Sequence, residues 1–268
     1  GFMYTTKLHS ICGINCWFND PTNIIERTNE LEHTGLNREK MALFSKMEHS
    51  NENMFITGKA GTGKSYLLKY FISHTKKKVV VTALTGIAAL NVGGQTIHSF
   101  FRLEWDDYQD LEKIKHKGVY GREKMLMRGL DVLVIDEISV VSSNLMDAID
   151  LKMRMANENN QAFGGKQVIF FGDLYQLPPV IKDKEVERCI EDKYGSKLFF
   201  KAPAFRHTDL KFYELKTVFR QNDEEYVKIL NSIRVGNIWG GELEALNSRC
   251  NTLNNLSKHE KYVTITPR

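Results

Sequence analysis

No run in the 268 residues is long and apolar enough to cross a bilayer as a helix. The first residues lack the basic-then-apolar pattern of a secretory signal. Cysteine is scarce, limited to Cys12, Cys16, Cys189 and Cys250. Cys12 and Cys16 form a C-x3-C pair near His9, but no second pair follows at zinc-site spacing. Free thiols are therefore favoured over a metal site there. No internal repeat or low-complexity tract is evident. A strong charge of either sign is also missing, since the formal net charge is +4. That balance permits nucleic-acid binding without requiring it. These absences predict a soluble protein in a reducing compartment with no membrane partner. With 42% hydrophobic residues the chain can bury a substantial core, in one large or two small domains.

One motif is far more specific than the composition. Gly58-Lys59-Ala60-Gly61-Thr62-Gly63-Lys64-Ser65 fits G-x-x-x-x-G-K-[ST], the phosphate-binding P-loop. The apolar stretch Asn53–Thr57 before it reads as a strand. Tyr66–Ile72 after it has apolar residues at helical spacing. Strand, glycine loop and helix form the context in which backbone N–H groups cradle phosphates. Gly58, Ala60, Gly61, Thr62, Gly63, Lys64 and Ser65 are thus the expected nucleotide-binding residues. Lys64 would reach the β- and γ-phosphates, and the Ser65 hydroxyl would ligate Mg²⁺.

Further strands are predicted at Val79–Val81, Val132–Ile135 and Val168–Phe171. Helical patterns alternate with them, and Leu36–Phe44 reads as a helix feeding the first strand. Continuous apolar strands separated by helices imply a parallel sheet covered on both faces. Lys76-Lys77-Lys78 reads as a solvated turn. Residues 103–128 break the alternation. They begin acidic (Glu104, Asp106, Asp107, Asp110, Glu112) and continue basic (Lys113, Lys115, Lys117, Arg122, Lys124, Arg128). This segment is either a small inserted subdomain or a solvated charged helix.

The strand Val132–Ile135 ends in Asp136-Glu137, as the second half of a nucleotide-hydrolysing site would. Asp136 is placed to hold Mg²⁺ and Glu137 to activate the attacking water. The strand Val168–Phe171 ends in Gly172-Asp173-Leu174-Tyr175-Gln176-Leu177-Pro178-Pro179. Gln176 there could sense a γ-phosphate or serve only as a turn residue.

Taken in order, these blocks resemble superfamily-one DNA helicases of the PIF and RecD-like group. Motif I is Gly58–Ser65. Motif Ia resembles Val81–Ala89 followed by Gly93–Phe101, motif II is Asp136–Ser139 and motif III is Gly172–Pro179. Motif IV resembles Leu215–Gln221, and Leu230–Gly236 is similar to a later family segment. Leu145–Arg154 loosely resembles the PIF signature helix, although a surface helix would look similar. The resemblance covers roughly residues 36–268.

The resemblance implies an α/β P-loop NTPase with a RecA-like parallel sheet flanked by helices. A first domain over 36–182 would follow an extension over 1–35 and carry residues 103–128 as a small wedge subdomain. Residues 183–268 would hold a connecting segment and the start of a second RecA-like domain. The implied cofactors are ATP and Mg²⁺. The implied catalytic residues are Lys64, Glu137, Gln176 and Arg220, with Arg220 contacting the γ-phosphate from the second domain. Thr82, Thr85, His98 and Phe100 fall in motifs that line a single-strand channel, where hydroxyls hold phosphates and aromatics stack bases. For Phe100 and Phe101, core packing is the competing reading.

The implied function is ATP-dependent translocation, 5′-to-3′ on single-stranded DNA, with unwinding at duplex junctions. The implied protein is a monomer. It would be cytoplasmic or nucleoid-associated in a bacterium or phage, and nuclear or mitochondrial in a eukaryote. DNA repair and telomere maintenance are among the open pathways. Two departures from the pattern stand out. Lys40 occupies the position where the family places an adenine-contacting glutamine, which puts adenine preference in question. No candidate for the later motifs V and VI is found, so a fragment with weak turnover is expected. A P-loop ATPase with a non-DNA target and a non-catalytic nucleotide- or DNA-binding module are the alternatives.

Overall fold

The computed structural model describes residues 36–206, 208–217 and 224–248. The chain divides into two compact units, one ending at Arg220 and the other beginning at Gln221.

The first unit opens with α1 (Arg38–His49), capped by the Asn37 side chain, which accepts the Lys40 N–H. Then follow β1 (Asn53–Gly58), α2 (Lys64–His74), β2 (Val79–Ala83), α3 (Gly86–Asn91), β3 (Gln95–Thr96) and α4 (Ile97–Phe101). The 103–128 segment folds into a turn, α5 (Leu111–Lys117) and most of α6 (Gly121–Gly129). Next come β4 (Val132–Asp136), α7 (Ser143–Asn157), β5 (Gln167–Phe171), α8 (Lys184–Tyr194) and β6 (Leu210–Leu215). The six strands lie in the order β3-β2-β4-β5-β1-β6, and every pairing is parallel.

Alternation along each strand builds two cores from one sheet. Met54, Ile56, Val79, Val81, Val132, Val134, Ile169 and Phe171 face one side, with Leu43 and Met47 of α1 and Leu67, Leu68 and Phe71 of α2. Phe55, Val80, Leu133, Ile135, Val168 and Phe170 face the other, under α4, α5, α6 and α7. Both faces are dry, which explains why these strands read as unbroken apolar runs. Among the described residues, no helix is long and apolar enough to cross a membrane.

Several expectations change. The sheet does not end near residue 182, because β6 pairs with β1 from Asn53↔Leu210 to Gly58↔Leu215. The first unit therefore extends through β6, and the division at residue 220 replaces the expected boundary. The 103–128 segment is not a solvated charged helix, because it packs on the core of the first unit. Tyr108, Ile114, Val119 and Met127 are buried in the same core as α7. Lys77 is not a solvated turn residue. Its ammonium donates to the Met47 and Ser50 carbonyls (2.9 and 2.6 Å) and to the Gln167 amide oxygen (2.7 Å).

The helix α7 is not a surface helix, because every position from Ser143 to Met153 is buried. Its buried polar side chains are each matched by a partner distant in sequence. Asn144 donates to the Tyr108 carbonyl, and Asp147 accepts from the Tyr194 hydroxyl. Asp150 accepts the Phe163 N–H, and Lys152 pairs with Glu123 of α6.

The second unit, as described, is a helix pair, α9 (Glu224–Arg234) and α10 (Gly240–Ser248). The Glu242 carboxylate joins them by accepting the Ser232 hydroxyl (3.0 Å) and the Trp239 N–H (3.2 Å).

Candidate nucleotide site at the carboxyl edge of the sheet

β1 delivers the chain into the loop at Gly58, and α2 begins at Lys64. Gly63 caps α2 at φ +84°, a left-handed conformation that glycine adopts without a steric penalty. Thr62 is fully buried and clamps the loop from within, its hydroxyl donating to the Lys59 carbonyl at 2.9 Å. The Lys64 ammonium folds back over the loop and donates to the carbonyls of Gly58 (2.6 Å) and Lys59 (3.3 Å). Ala60 and Ser65 are exposed, and Gly61 is half-buried at φ +79°. The loop thus presents a fixed ammonium, an exposed hydroxyl and a helix N-terminus together, the elements that bind phosphate.

Asp136 ends β4, two strands from β1 in the sheet. Its carboxylate accepts the Glu137 N–H at 3.0 Å. Burial pushes its pKa up to about 6, with Glu137 adding repulsion and the nearby Lys64 charge opposing both. Glu137 is exposed and left-handed (φ 53°, ψ 44°). A non-glycine residue in that region costs about 1–3 kcal/mol, and such strain concentrates at working sites.

The Asp136 shift has a definite sign. Its folded-state pKa lies above the ordinary carboxylate value of 3.8. Its contribution to stability is therefore present at low pH and lost as pH rises through about 6. In the absence of divalent cation, the Tm of the parent minus that of Asp136→Asn should fall between pH 4 and 6.5. A flat difference would contradict the buried placement.

Motif III is held against motif II by a glycine. A Cβ on Gly172 would lie 2.8 Å from Ile138 Cγ2 and 3.1 Å from the Ile138 nitrogen. Gly172→Ala should destabilise by about 1–3 kcal/mol, because the Asp136–Glu137 turn must shift to make room. Thermal melts on that variant test this, and an unchanged melting temperature would refute it. Asp173 is buried, and its carboxylate and carbonyl accept the N–H groups of Tyr175 (3.1 Å) and Gln176 (2.9 Å). Gln176 itself is exposed at the same edge of the sheet.

The expected DNA-channel residues separate. Thr85 is exposed and caps α3, its hydroxyl accepting the Ala88 N–H. His98 is half-buried, its pKa lowered by burial, with its ring edge-on to Tyr108 at 5.6 Å. Tyr108 is in turn edge-on to the exposed Trp105 at 5.3 Å. Trp105 was not singled out from the sequence, where nothing marks it as exposed. Two placements are corrections. Thr82 is fully buried and spends its hydroxyl on the Val134 carbonyl (3.1 Å). Phe100 is buried edge-on against Phe101 at 4.8 Å. Neither side chain offers a face to nucleic acid. Arg220 lies outside the described residues, as do Cys12, Cys16 and Cys250.

The loop, the carboxylate pair and the motif III turn share one edge of a RecA-like sheet. A family model described as PIF1-like helicase matches residues 35–241. The chain belongs to the PIF1-like helicase family. It is 39% identical over 201 residues to ATP-dependent DNA helicase PIF1 of Saccharomyces cerevisiae, covering 72% of this chain and 22% of that protein. The Candida albicans PIF1 helicase is 36% identical over 228 residues, covering 80% and 25%. Among solved structures, Bacteroides Pif1 helicase in complex with ADP-AlF3 and single-stranded DNA matches with a TM-score of 0.73 at 34% identity. That match covers 85% of this chain and 52% of the other. A structure of two coordinating Pif1 helicases at forked double-stranded DNA matches at 0.71 with 36% identity, covering 80% and 51%. The chain thus spans about a quarter of these curated relatives and about half of the solved Pif1-family chains.

Proposed function

We propose that this chain carries the nucleotide-hydrolysing domain of an ATP-dependent DNA helicase that moves 5′-to-3′ along single-stranded DNA. The observation that carries the reading is the meeting of the Gly58–Ser65 loop with Asp136 and Glu137 at one sheet edge, in a member of the PIF1-like family. ATP is the fuel. Lys64 neutralises β- and γ-phosphate charge, and the loop N–H groups position the chain of phosphates. Ser65 and Asp136 supply hard oxygen donors that suit Mg²⁺. The raised pKa of Asp136 fits this role, because a cation there would hold the carboxylate ionised. Bound Mg²⁺ would neutralise charge developing on the transferred phosphate. Glu137 takes the proton of the attacking water, and Gln176 reports γ-phosphate state. Arg220 is the arginine assigned to the γ-phosphate.

Single-stranded DNA and duplex junctions are the proposed partners, with Thr85 and His98 in the channel and the protein acting as a monomer. The covered share of its relatives supports reading the chain as the ATPase portion of a longer motor. Its work would take place wherever the cell holds its DNA.

The test is ATP hydrolysis by the chain with and without single-stranded DNA, at low and moderate salt. Stimulation that weakens with salt is expected of a nucleic-acid-driven motor. Turnover indifferent to DNA in a version carrying both RecA-like domains would overturn the reading in favour of another target. Unwinding of substrates with a single 5′ or 3′ tail decides direction.

A further inference from the structure

Lys40 lies in the first turn of α1, where a lysine would ordinarily reach into water. It is only 4% exposed. Its Nζ and Cε sit 2.8 and 3.0 Å from the point a Cβ on Gly63 would occupy. The same ammonium lies 5.8 Å from the centroid of the Tyr66 ring. It is therefore packed against the residue that turns the phosphate loop into α2.

The scaffold fixes it there. The Glu39 carboxylate accepts the N–H groups of Lys216 (2.9 Å) and Thr217 (3.4 Å), and the Asn37 amide donates to the Thr217 hydroxyl (3.3 Å). β6, which leads into these two residues, pairs with β1 as far as Gly58↔Leu215. The start of α1 is thus tied to the strand beside the loop.

The electrostatics point to a ligand. Desolvation lowers the pKa of the Lys40 amine, with the Glu39 charge acting against it. Lys40 borders the positive end of α2, whose first turn holds no acidic residue. Lys64 stands in the same loop. Concentrating an ammonium, a second lysine and a helix N-terminus costs the fold free energy, which a bound polyanion offsets.

We propose that Lys40 is a second fixed cation of the triphosphate site, recognising the phosphate chain by charge and not the base by its edge. This rests on the reading of Gly58–Ser65 as a nucleotide site. A lysine has three donors and no acceptor, so it lacks the donor–acceptor pair with which a carboxamide selects adenine.

Binding of ATP, GTP and inorganic tripolyphosphate to the chain, each with Mg²⁺, tests the assignment by calorimetry. Tripolyphosphate has neither ribose nor base, so it reports the phosphate contacts alone. Lys40→Gln should weaken all three ligands by a similar factor of about tenfold, as expected for one partly screened charge near the phosphates. Lys40→Met keeps the buried stem without the charge and should show the same loss. Lys40→Arg should recover most of it. Thermal melts identify any variant that fails to fold, and the remaining ones then decide. A change in the ATP-to-GTP ratio with tripolyphosphate unaffected would overturn the proposal in favour of base reading. No change in any ligand would reduce Lys40 to packing. Failure of the parent chain to bind all three would instead overturn the nucleotide-site reading itself.

Discussion

Glu137→Gln is expected to lower ATP turnover by about 10²–10⁴-fold, the usual loss on removing a positioned general base. Nucleotide affinity should change little. Glutamine has the shape of glutamate and is equally exposed to the left-handed strain at this position (φ 53°, ψ 44°), so the turn after β4 should persist. The side chain is exposed and does not support the core, so stability should also be preserved. What the substitution removes is the carboxylate proposed to accept the proton of the attacking water, beside Asp136 and the phosphate loop. Steady-state hydrolysis and nucleotide binding, measured separately on the same preparation, test this. Turnover within threefold of the parent would take the base role away from Glu137. Parallel loss of binding and melting temperature would mean that the residue is structural.

Lys152→Met is expected to destabilise the fold by about 3–5 kcal/mol, a large part of the roughly 5–15 kcal/mol that holds an ordinary domain together. The Lys152 and Glu123 side chains are 4% and 10% exposed and meet at 2.7 Å. Removing the lysine leaves a carboxylate desolvated without its counter-charge. The pair itself need not be strongly stabilising, because the Coulombic gain is offset by the cost of taking both charges out of water. The double variant Glu123→Leu/Lys152→Met should therefore recover most of the loss. Chemical denaturation of the two variants checks both statements. A single substitution costing under about 1 kcal/mol would show that water reaches the pair, as it does in exposed ion pairs. Because this pair joins α7 to α6, the single variant should also loosen the 103–128 segment, seen as faster amide exchange over α5 and α6.

The fold was legible in the sequence where burial is symmetric. β1, β2, β4 and β5 are covered on both faces, so their apolar runs announce strands without ambiguity. β6 gave no such signal. Its residues Leu210-Lys211-Phe212-Tyr213-Glu214-Leu215 alternate in burial at the sheet edge, and Phe212 is 67% exposed. β3 is two residues long and has no periodicity to detect. α7 was misleading for a different reason. Asn144, Asp147, Asp150 and Lys152 suggest a solvated face, but each is buried against a partner that is distant in sequence. Similarly, a threonine or phenylalanine in a channel motif does not reveal its direction. Thr82 and Phe100 turn inward because β2 is covered on both faces and α4 packs on the sheet.

The sequence by itself determined the P-loop, the Asp136–Glu137 pair and the family, because these are contiguous patterns whose chemistry follows from residue type and spacing. Only the tertiary structure decided that β6 belongs to the first sheet, that the charged 103–128 segment is docked on α7, and that Lys40 lies against Gly63. Each of these depends on which distant groups meet and how completely water is excluded between them. Desolvation sets the pKa of Asp136 and the strength of the Lys152–Glu123 pair, and it is a property of the assembled fold that no local stretch of sequence carries.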